Sequence, residues 1–383
     1  MDFELSADEK LLVETVQSFT KKDSPVERFR RLRGTELGWE RATWKQMGEL
    51  GWLGVSFPES AGGAGLGFVA AGLVLEQLGA TLVPEPFLSS VVLAGTPLAA
   101  AGTPEQHERF LAPLIAGDTA LALAHVEAQS RHDSASVSTR ATRAGAAWRL
   151  TGRKRWVLDG HGADHLLVSA RTGGSERERD GVSLFVVDAA QPGVRLERVD
   201  CMDGHKAALV ELDGVEVDAT RLVGPEGGGA AILDLALDHA AAGACAEGAG
   251  LLARALDMTR EYLMQRKQFG AAIGSFQALQ HRAVDMFVEV ELCKSAALLA
   301  MIKVSDPSGA ERMRAVSAAK AQLARGGAFV VRQATQLHGG IGVTDEHDIG
   351  LYFKRHQVLA ALFGDFEHHV ARYASLPSFD AHV

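Results

Sequence analysis

Apolar positions recur every three or four residues at both ends of this chain and more closely in the middle, so the sequence predicts helix, then strand, then helix. Leu12, Val16 and Phe19 mark one helical face near the start, and Val26 continues it a heptad later. Ser6 stands before Ala7-Asp8-Glu9 and reads as an N-cap with acidic residues in the first turn. The run Ser56–Gly63 reads as a loop, followed by a helix from about Phe68 to Leu78 and another beyond Pro86. Between about Thr119 and Leu222 the pattern changes. Trp148–Thr151, His165–Ser169, Val182–Val187 and Val194–Glu197 are short strand-like runs separated by Gly, Asp and Pro. The charged stretch Gly173–Asp180 reads as a solvated loop. Helical periodicity returns after Gly224-Pro225-Glu226-Gly227. Ala230–Ala255 reads as one packed helix, and Phe276, Leu279, Ala283, Met286, Phe287 and Val290 as the face of another, with Ser275 as its N-cap. The expected domains are residues 1–118 (helical), 119–222 (β) and 223–383 (helical).

Composition narrows the classes of function. A chain of 383 residues is long enough for several cores. Its net charge of -9 argues against a nucleic-acid surface while leaving room for local basic pockets. Three scattered cysteines suggest neither a disulfide framework nor a metal site, and read as reduced core residues of a cytoplasmic protein. The histidines, among them His161, His165, His347, His368 and His369, show no metal-ligand spacing. No targeting composition opens the chain and no uninterrupted apolar run reaches about 20 residues, so no membrane span is expected.

Candidate chemistry concentrates in Arg266-Lys267-Gln268-Phe269-Gly270, Phe276-Gln277 and Gln336-Leu337-His338-Gly339-Gly340. An arginine offers a rigid fork of donors suited to a diphosphate. Glutamine both donates and accepts, and a glycine pair lets backbone N–H groups approach an anion. Neither a G-x-G-x-x-G turn after an early strand nor a Walker A motif is present, so a diphosphate cofactor needs another mode of binding. The run RKQFGAAIGSFQALQHRAVDM, from Arg266 to Met286, and QLHGGIGVTDEHDIGLYFKR, from Gln336 to Arg355, resemble the acyl-CoA dehydrogenase family. The resemblance extends over essentially the whole chain.

That resemblance implies a multidomain α+β fold: an N-terminal helical domain, a middle β-barrel and a C-terminal four-helix bundle that also forms a dimer or tetramer, homo- or hetero-oligomeric. It implies FAD as cofactor. Arg266 would hold the FAD diphosphate of a neighbouring subunit, with Gln268, Phe269, Phe276 and Gln277 beside it. Gln336, Gly339 and Gly340 would approach the adenosine diphosphate, while His338 is read as structural. The stretch Ala124–Asp133 falls on the family's flavin-covering loop. Glu127, Ser130 and Asp133 match it, and Ala128-Gln129 replaces the usual Pro-Gly. Trp156 matches the family's flavin-packing tryptophan, and Leu158 replaces a hydroxyl residue that would face flavin N5.

The implied reaction removes a proton α to a thioester carbonyl and passes a hydride from the β carbon to the flavin, which calls for a carboxylate base. Electrons would leave through an electron-transfer flavoprotein. Gly364 falls where most of the family carry a glutamate, and Ala240 falls on the minority position, followed by Ala241. Three readings stay open: Asp365 is the base, in a shifted turn and with its pKa raised by burial in an apolar acyl pocket; Glu367 is; or the chain has none. The small residues Ala240, Ala241 and Gly364 would make room for a bulky acyl group. The expected function is therefore FAD-dependent desaturation of an acyl-CoA. The alternatives are a non-catalytic subunit that completes a partner's FAD site, and a flavin oxidase or monooxygenase on the same fold.

Overall fold

Ser6 opens the first helix as expected. Its hydroxyl accepts from the Glu9 amide while the Glu9 carboxylate accepts from the Ser6 amide, a reciprocal cap on α1 (Ala7–Lys22). Val16 and Phe19 are buried on this helix and Leu12 is half-buried. Val26 does not continue that face, because α1 closes at Asp23 and Val26 begins α2 (Val26–Leu32). This computed structural model describes residues 5–377; the first four residues of the polar N-terminal stretch lie outside it.

Two more helices follow, α3 (Arg41–Glu49) and α4 (Gly67–Ala80). A wide-turned run Phe87–Ala94 leads into α5 (Gly95–Ala101), and α6 (Pro104–Gln106) leads through a second wide turn into α7 (Ala112–Ile115). The strands are β1 (Leu121–Ala124), β2 (Arg140–Ala144), β3 (Ala147–Leu158), β4 (His165–Arg171), β5 (Val182–Asp188), β6 (Val194–Asp200), β7 (Lys206–Asp218) and β8 (Leu222–Val223). Then come α8 (Gly229–Gln265), the hairpin β9 (Lys267–Gln268) and β10 (Ala271–Ala272), α9 (Gln277–Lys303), α10 (Gly309–Gln322), α11 (Ala328–His338), α12 (Ile349–Ala361) and α13 (Phe366–Ala374). The chain forms two compact units, one of residues 31–67 and 84–240, the other of the remaining segments.

The first unit is built on an eight-stranded mixed sheet of order β6-β7-β3-β2-β4-β5-β8, with β1 paired to β4. Among the described residues this pairing draws an open path from β6 to β8, not the closed barrel expected. Trp148, Leu150, Leu166, Phe185 and Val210 fill its core. All four predicted strands are present; β7, the longest, was missed, and it lies hydrogen-bonded between β3 and β6. The charged stretch 173–180 is an exposed loop, anchored by the buried Arg171 guanidinium, which donates to the carbonyls of Ala135, Glu176 and Glu178.

In the second unit α4 and α8 meet at glycines. A Cβ on Gly79 would stand 2.2 Å from the Glu247 carbonyl oxygen, and one on Gly250 1.8 Å from that of Glu76. Only hydrogen fits, so the two backbones approach as no larger residue allows. By length and composition α8 could cross a membrane, but 72% of its most apolar window is buried within the protein, as in a core helix. Ser275 does not cap α9: its hydroxyl turns back to the Ala272 carbonyl, and the N-cap position is Phe276. On α9, Met286 and Val290 are buried, whereas Phe276 and Phe287 from the predicted apolar face are exposed.

Candidate cofactor and active site

One groove of about 570 Å³ in the helical unit brings together residues far apart in sequence: Arg266, Gln268, Gln336, Gly339 and Gly340. Arg266 leaves the end of α8. The chain then reverses through β9 and β10 about Phe269 (φ +55°) and Gly270 (φ +80°), a turn with two left-handed residues. Phe269 is 95% exposed, and among the described residues its one ring contact is with Phe276, edge to face at 6.2 Å between ring centres. A phenylalanine held both left-handed and in water is costly on two counts. Opposite, α11 ends at Gly339 (φ +64°), and neither Gly339 nor Gly340 has an atom within 4 Å of a would-be Cβ. The backbone of this turn thus faces open space.

The polar side chains of the groove are unspent. Among the described residues the Arg266 guanidinium and the Gln336 amide meet no partner, and Gln268 reaches only the Lys267 carbonyl. Gln277 begins α9 beside Phe276, its amide likewise unpartnered there. Arg282, one turn along α9, lines the groove and is also without a partner among the described residues. The motif reading missed it, though Gln277 and Arg282 are five residues apart on one helix. Two guanidinium groups, amides and an open glycine turn are the donor set that a diphosphate of two negative charges requires, so these residues fit the expected FAD. His338 is buried, stacked at 4.7 Å from Tyr262 and 4.4 Å from His347, with Nδ1 on the Ala334 carbonyl; burial pushes its pKa down. It packs as a structural histidine.

The β unit holds the other set of predicted residues. Two residues of β3, Arg155 and Trp156, stand opposite one of β7, forming a bulge in which Trp156 takes φ +52°. The bulge turns the indole outward, leaving it 54% exposed above a surface that Leu196 and Leu209 also line. The Arg155 amide donates to the Val126 carbonyl at 2.8 Å, which joins the two predicted flavin motifs. Leu158 is half-buried on β3, paired with Ala207.

Glu127 and Ser130 are not free for a ligand. The Glu127 carboxylate accepts from Lys154 Nζ at 2.7 Å, from the Ser138 and Thr139 amides at 2.8 and 3.0 Å, from the Ser138 hydroxyl, and from Gln129 at 2.9 Å. Burial opposes its ionisation, but the Lys154 charge and these hydrogen bonds outweigh that and hold the carboxyl well below the usual range. The Ser130 hydroxyl closes the loop, accepting from the Glu127 amide and donating to the Glu127 carbonyl. Asp133 accepts from the Ala135 amide. The side chains expected to touch the cofactor therefore shape the loop, and what the loop can offer is backbone. Lys154, 1% exposed, was missed. Its signal was alternation: Trp148, Leu150 and Lys154 share the inward face of one strand.

Gly364 and Asp365 lie between α12 and α13. Asp365 is exposed and is the N-cap of α13, its carboxylate accepting from the His368 amide at 2.9 Å. The burial expected of it is absent, because a helix start took the side chain. Glu367 is exposed in the first turn of α13. Gly364 has φ +118°, and a Cβ there would stand 2.5 Å from His368 Cδ2 and 2.6 Å from His369 Nε2. The room expected at this position is occupied by imidazole. Ala240 and Ala241 are fully buried on α8. Among the described residues no group of histidine, cysteine and carboxylate side chains is arranged to hold a metal. Cys245 and Cys293 are buried, and burial pushes both thiols up to about 12, while Cys201 is half-buried.

Three family patterns cover this architecture: "Acyl-CoA dehydrogenase, N-terminal domain" at residues 6–118, the middle domain at 122–215 and the C-terminal domain at 227–375. The chain is 30% identical to the probable acyl-CoA dehydrogenase YngJ of Bacillus subtilis, over 91% of this chain and 92% of that one. It is 32% identical to the acyl-CoA dehydrogenase FadE27 of Mycobacterium tuberculosis, over 85% of each. A solved variant of the Tcur3481-Tcur3483 steroid ACAD superposes with a TM-score of 0.86 at 32% identity, covering 98% of this chain and 99% of that one. With all three domains matched in order, the chain belongs to the acyl-CoA dehydrogenase family, FAD-binding oxidoreductases that act on CH–CH bonds.

Proposed function

We propose that this protein desaturates an acyl-CoA thioester carrying a bulky acyl group, between its α and β carbons, and that its electrons pass to an electron-transfer flavoprotein. The observation that carries this reading is the groove in which the Gly339–Gly340 turn meets the Arg266 and Gln336 side chains, neither of which has a partner among the described residues. Arg266, with Arg282, would hold the diphosphate of FAD belonging to a neighbouring subunit, and Gln336, Gly339 and Gly340 its adenosine side. Gln268, Phe269, Phe276 and Gln277 border the same place. In the β unit, Trp156, Leu158 and the backbone of the loop set by Glu127 and Ser130 would flank the isoalloxazine ring. When bound, FAD supplies the acceptor for the hydride that leaves the β carbon. The proton on the α carbon goes to a carboxylate, for which Asp365 is the candidate.

A multi-chain assembly is supported by α9, where Val284, Phe287, Val288, Leu292 and Leu299 are exposed on one helix. Apolar residues spaced this way call for a partner surface. The bulky acyl group is supported by Ala240 and Ala241, which put only methyl groups on their turn of α8, and by the steroid ACAD among the relatives. A second reading is favoured by one observation. Asp365 already serves as a cap and position 364 has no side chain, which suits a subunit that completes a partner's FAD site without turnover.

The test is whether the purified chain is yellow and bleaches when an acyl-CoA is added without oxygen. Asp365→Asn keeps a capping oxygen for the His368 amide while removing the base, so the fold and FAD should remain. If Asp365 takes the α proton, bleaching slows by roughly 10²–10⁴. A near wild-type rate removes Asp365 from the chemistry. Bleaching only in the presence of a second, different subunit establishes the partner reading, and rapid reaction of the reduced flavin with oxygen identifies an oxidase.

A further inference from the structure

The chain leaves α12 along an unusual path. Phe363 has φ +59° and Gly364 φ +118°, two left-handed residues in succession, the first of them bulky. Such a turn persists only where its surroundings over-determine it. Two buried nitrogen groups do so here. Lys320 of α10, 1% exposed, donates from Nζ to the Leu359 carbonyl at 2.6 Å and to the Ala360 carbonyl at 3.3 Å. These are among the carbonyls that the last turn of α12 leaves without helical partners, and the lysine charge stands at the negative end of the helix. Among the described residues no carboxylate pairs with Lys320 at ion-pair distance. The second group is His369 of α13. Its Nε2 lies 3.1 Å from the Phe363 carbonyl and its Nδ1 3.3 Å from the Ser317 hydroxyl, one helical turn before Lys320 on α10. A neutral ring that donates to Phe363 and accepts from Ser317 satisfies both bonds.

A buried lysine without a carboxylate is an expensive way to end a helix. Burial pushes its pKa down to about 8, against the opposing pull of Cys245 and Asp365. His369 is pushed down to about 3, first by burial and then by Lys320, His368 and Arg372, so it stays neutral through the physiological range. Burial pushes His356 on α12 down to about 4, and the lysine charge acts in the same direction. Of the charged groups around this turn, Lys320 meets the end of α12, and Arg372 of α13 adds a second cation by donating to the Ser317 hydroxyl at 3.4 Å.

We propose that Lys320 and the Ser317–His369 pair are positioning residues, which fix the Phe363–Gly364–Asp365 turn and hence where its carboxylate is presented to substrate. The catalytic half of this statement rests on the desaturase reading; the geometric half does not. In the full-length FAD-loaded protein, Lys320→Met keeps the unbranched apolar stem, one atom shorter, and removes its donors. Amide hydrogen exchange at residues 362–366 should quicken about tenfold while α11 is unchanged. Bleaching by butyryl-CoA, and by a CoA thioester of a steroid side chain, should slow at least about tenfold at an unchanged half-saturating concentration. n-Propylammonium added to Lys320→Ala should restore both readouts, which a loss of packing alone would not allow. If Lys320→Met does not fold, Ser317→Ala, which leaves Lys320 in place and removes the hydroxyl from His369 and Arg372, should quicken exchange at residues 363–366. Exchange within about twofold of wild type in a folded Lys320→Met or Ser317→Ala overturns the proposal. So does a defect spread over the whole unit that n-propylammonium leaves untouched. If wild type bleaches with neither thioester, the desaturase reading has failed and the exchange result alone decides the positioning.

Discussion

The Glu127 loop and the Arg266 groove were both identified by resemblance to cofactor-binding motifs, yet they are built in opposite ways. At Glu127 the carboxylate and the Ser130 hydroxyl beside it are spent. One carboxylate holds a buried lysine, two backbone amides, a hydroxyl and a side-chain amide. Around Arg266 polar groups are left over, and a phenylalanine stands in water on a left-handed turn. The first arrangement makes a shape and the second makes a vacancy. A matching motif residue can thus serve a ligand by touching it or by holding the backbone that touches it, and only the hydrogen-bond inventory tells which.

The largest effect expected from this contrast is on stability. Glu127→Ala leaves Lys154 buried with Ser169 as its one remaining partner among the described residues, and should cost about 3–5 kcal/mol in chemical denaturation. Because folding depresses the Glu127 pKa, its contribution is fully present above the unfolded value of 4.5 and is lost as pH falls below it. Glu127→Gln should accordingly flatten the acid side of the stability profile. Arg266→Ala should do the reverse: the apo fold stays within about 0.5 kcal/mol of wild type, while FAD retention weakens by about 2–5 kcal/mol if the pair is desolvated. Equal losses of stability in both variants would erase the distinction. Asp365 lies between the extremes, exposed yet spent on a cap. Asp365→Ala should cost about 1 kcal/mol of thermal stability where Asp365→Asn costs little, and equal losses would show that the cap carries no weight. The smallest effect is at the turn. Phe269→Asn suits a left-handed position and should stabilise the free chain by up to about 1 kcal/mol while lowering flavin retention. Unchanged retention would mean that the exposed ring serves neither cofactor nor partner.

Much of this was legible in the sequence. Ser6 and Glu9 at the right separation gave the start of α1, and four of the strands stood out from their breakers. The groove residues stood out by their resemblance to two family motifs far apart in sequence, and the structure brings Arg266, Gln268, Gln336, Gly339 and Gly340 together. What stayed hidden depends on pairing across distance. β7 carries Asp213-Gly214 and Glu216 in its second half, which look like turn residues until Val215–Asp218 pair with β3. Trp156 faces outward because of a register shift that no local pattern encodes. Ser275 and Asp365 show the limit of reading caps singly: the first turned to a carbonyl behind it, and the second, a candidate base in the sequence, also caps α13.

The Glu127–Lys154 pair also bears on how this loop can change over generations. Here the bend depends on two residues 27 positions apart. Losing either strands a charge in the core, whereas replacing both by apolar residues of similar volume is often tolerated. Single-step descendants therefore fall into a valley, and Glu127 and Lys154 are expected to be inherited, or exchanged, as a unit.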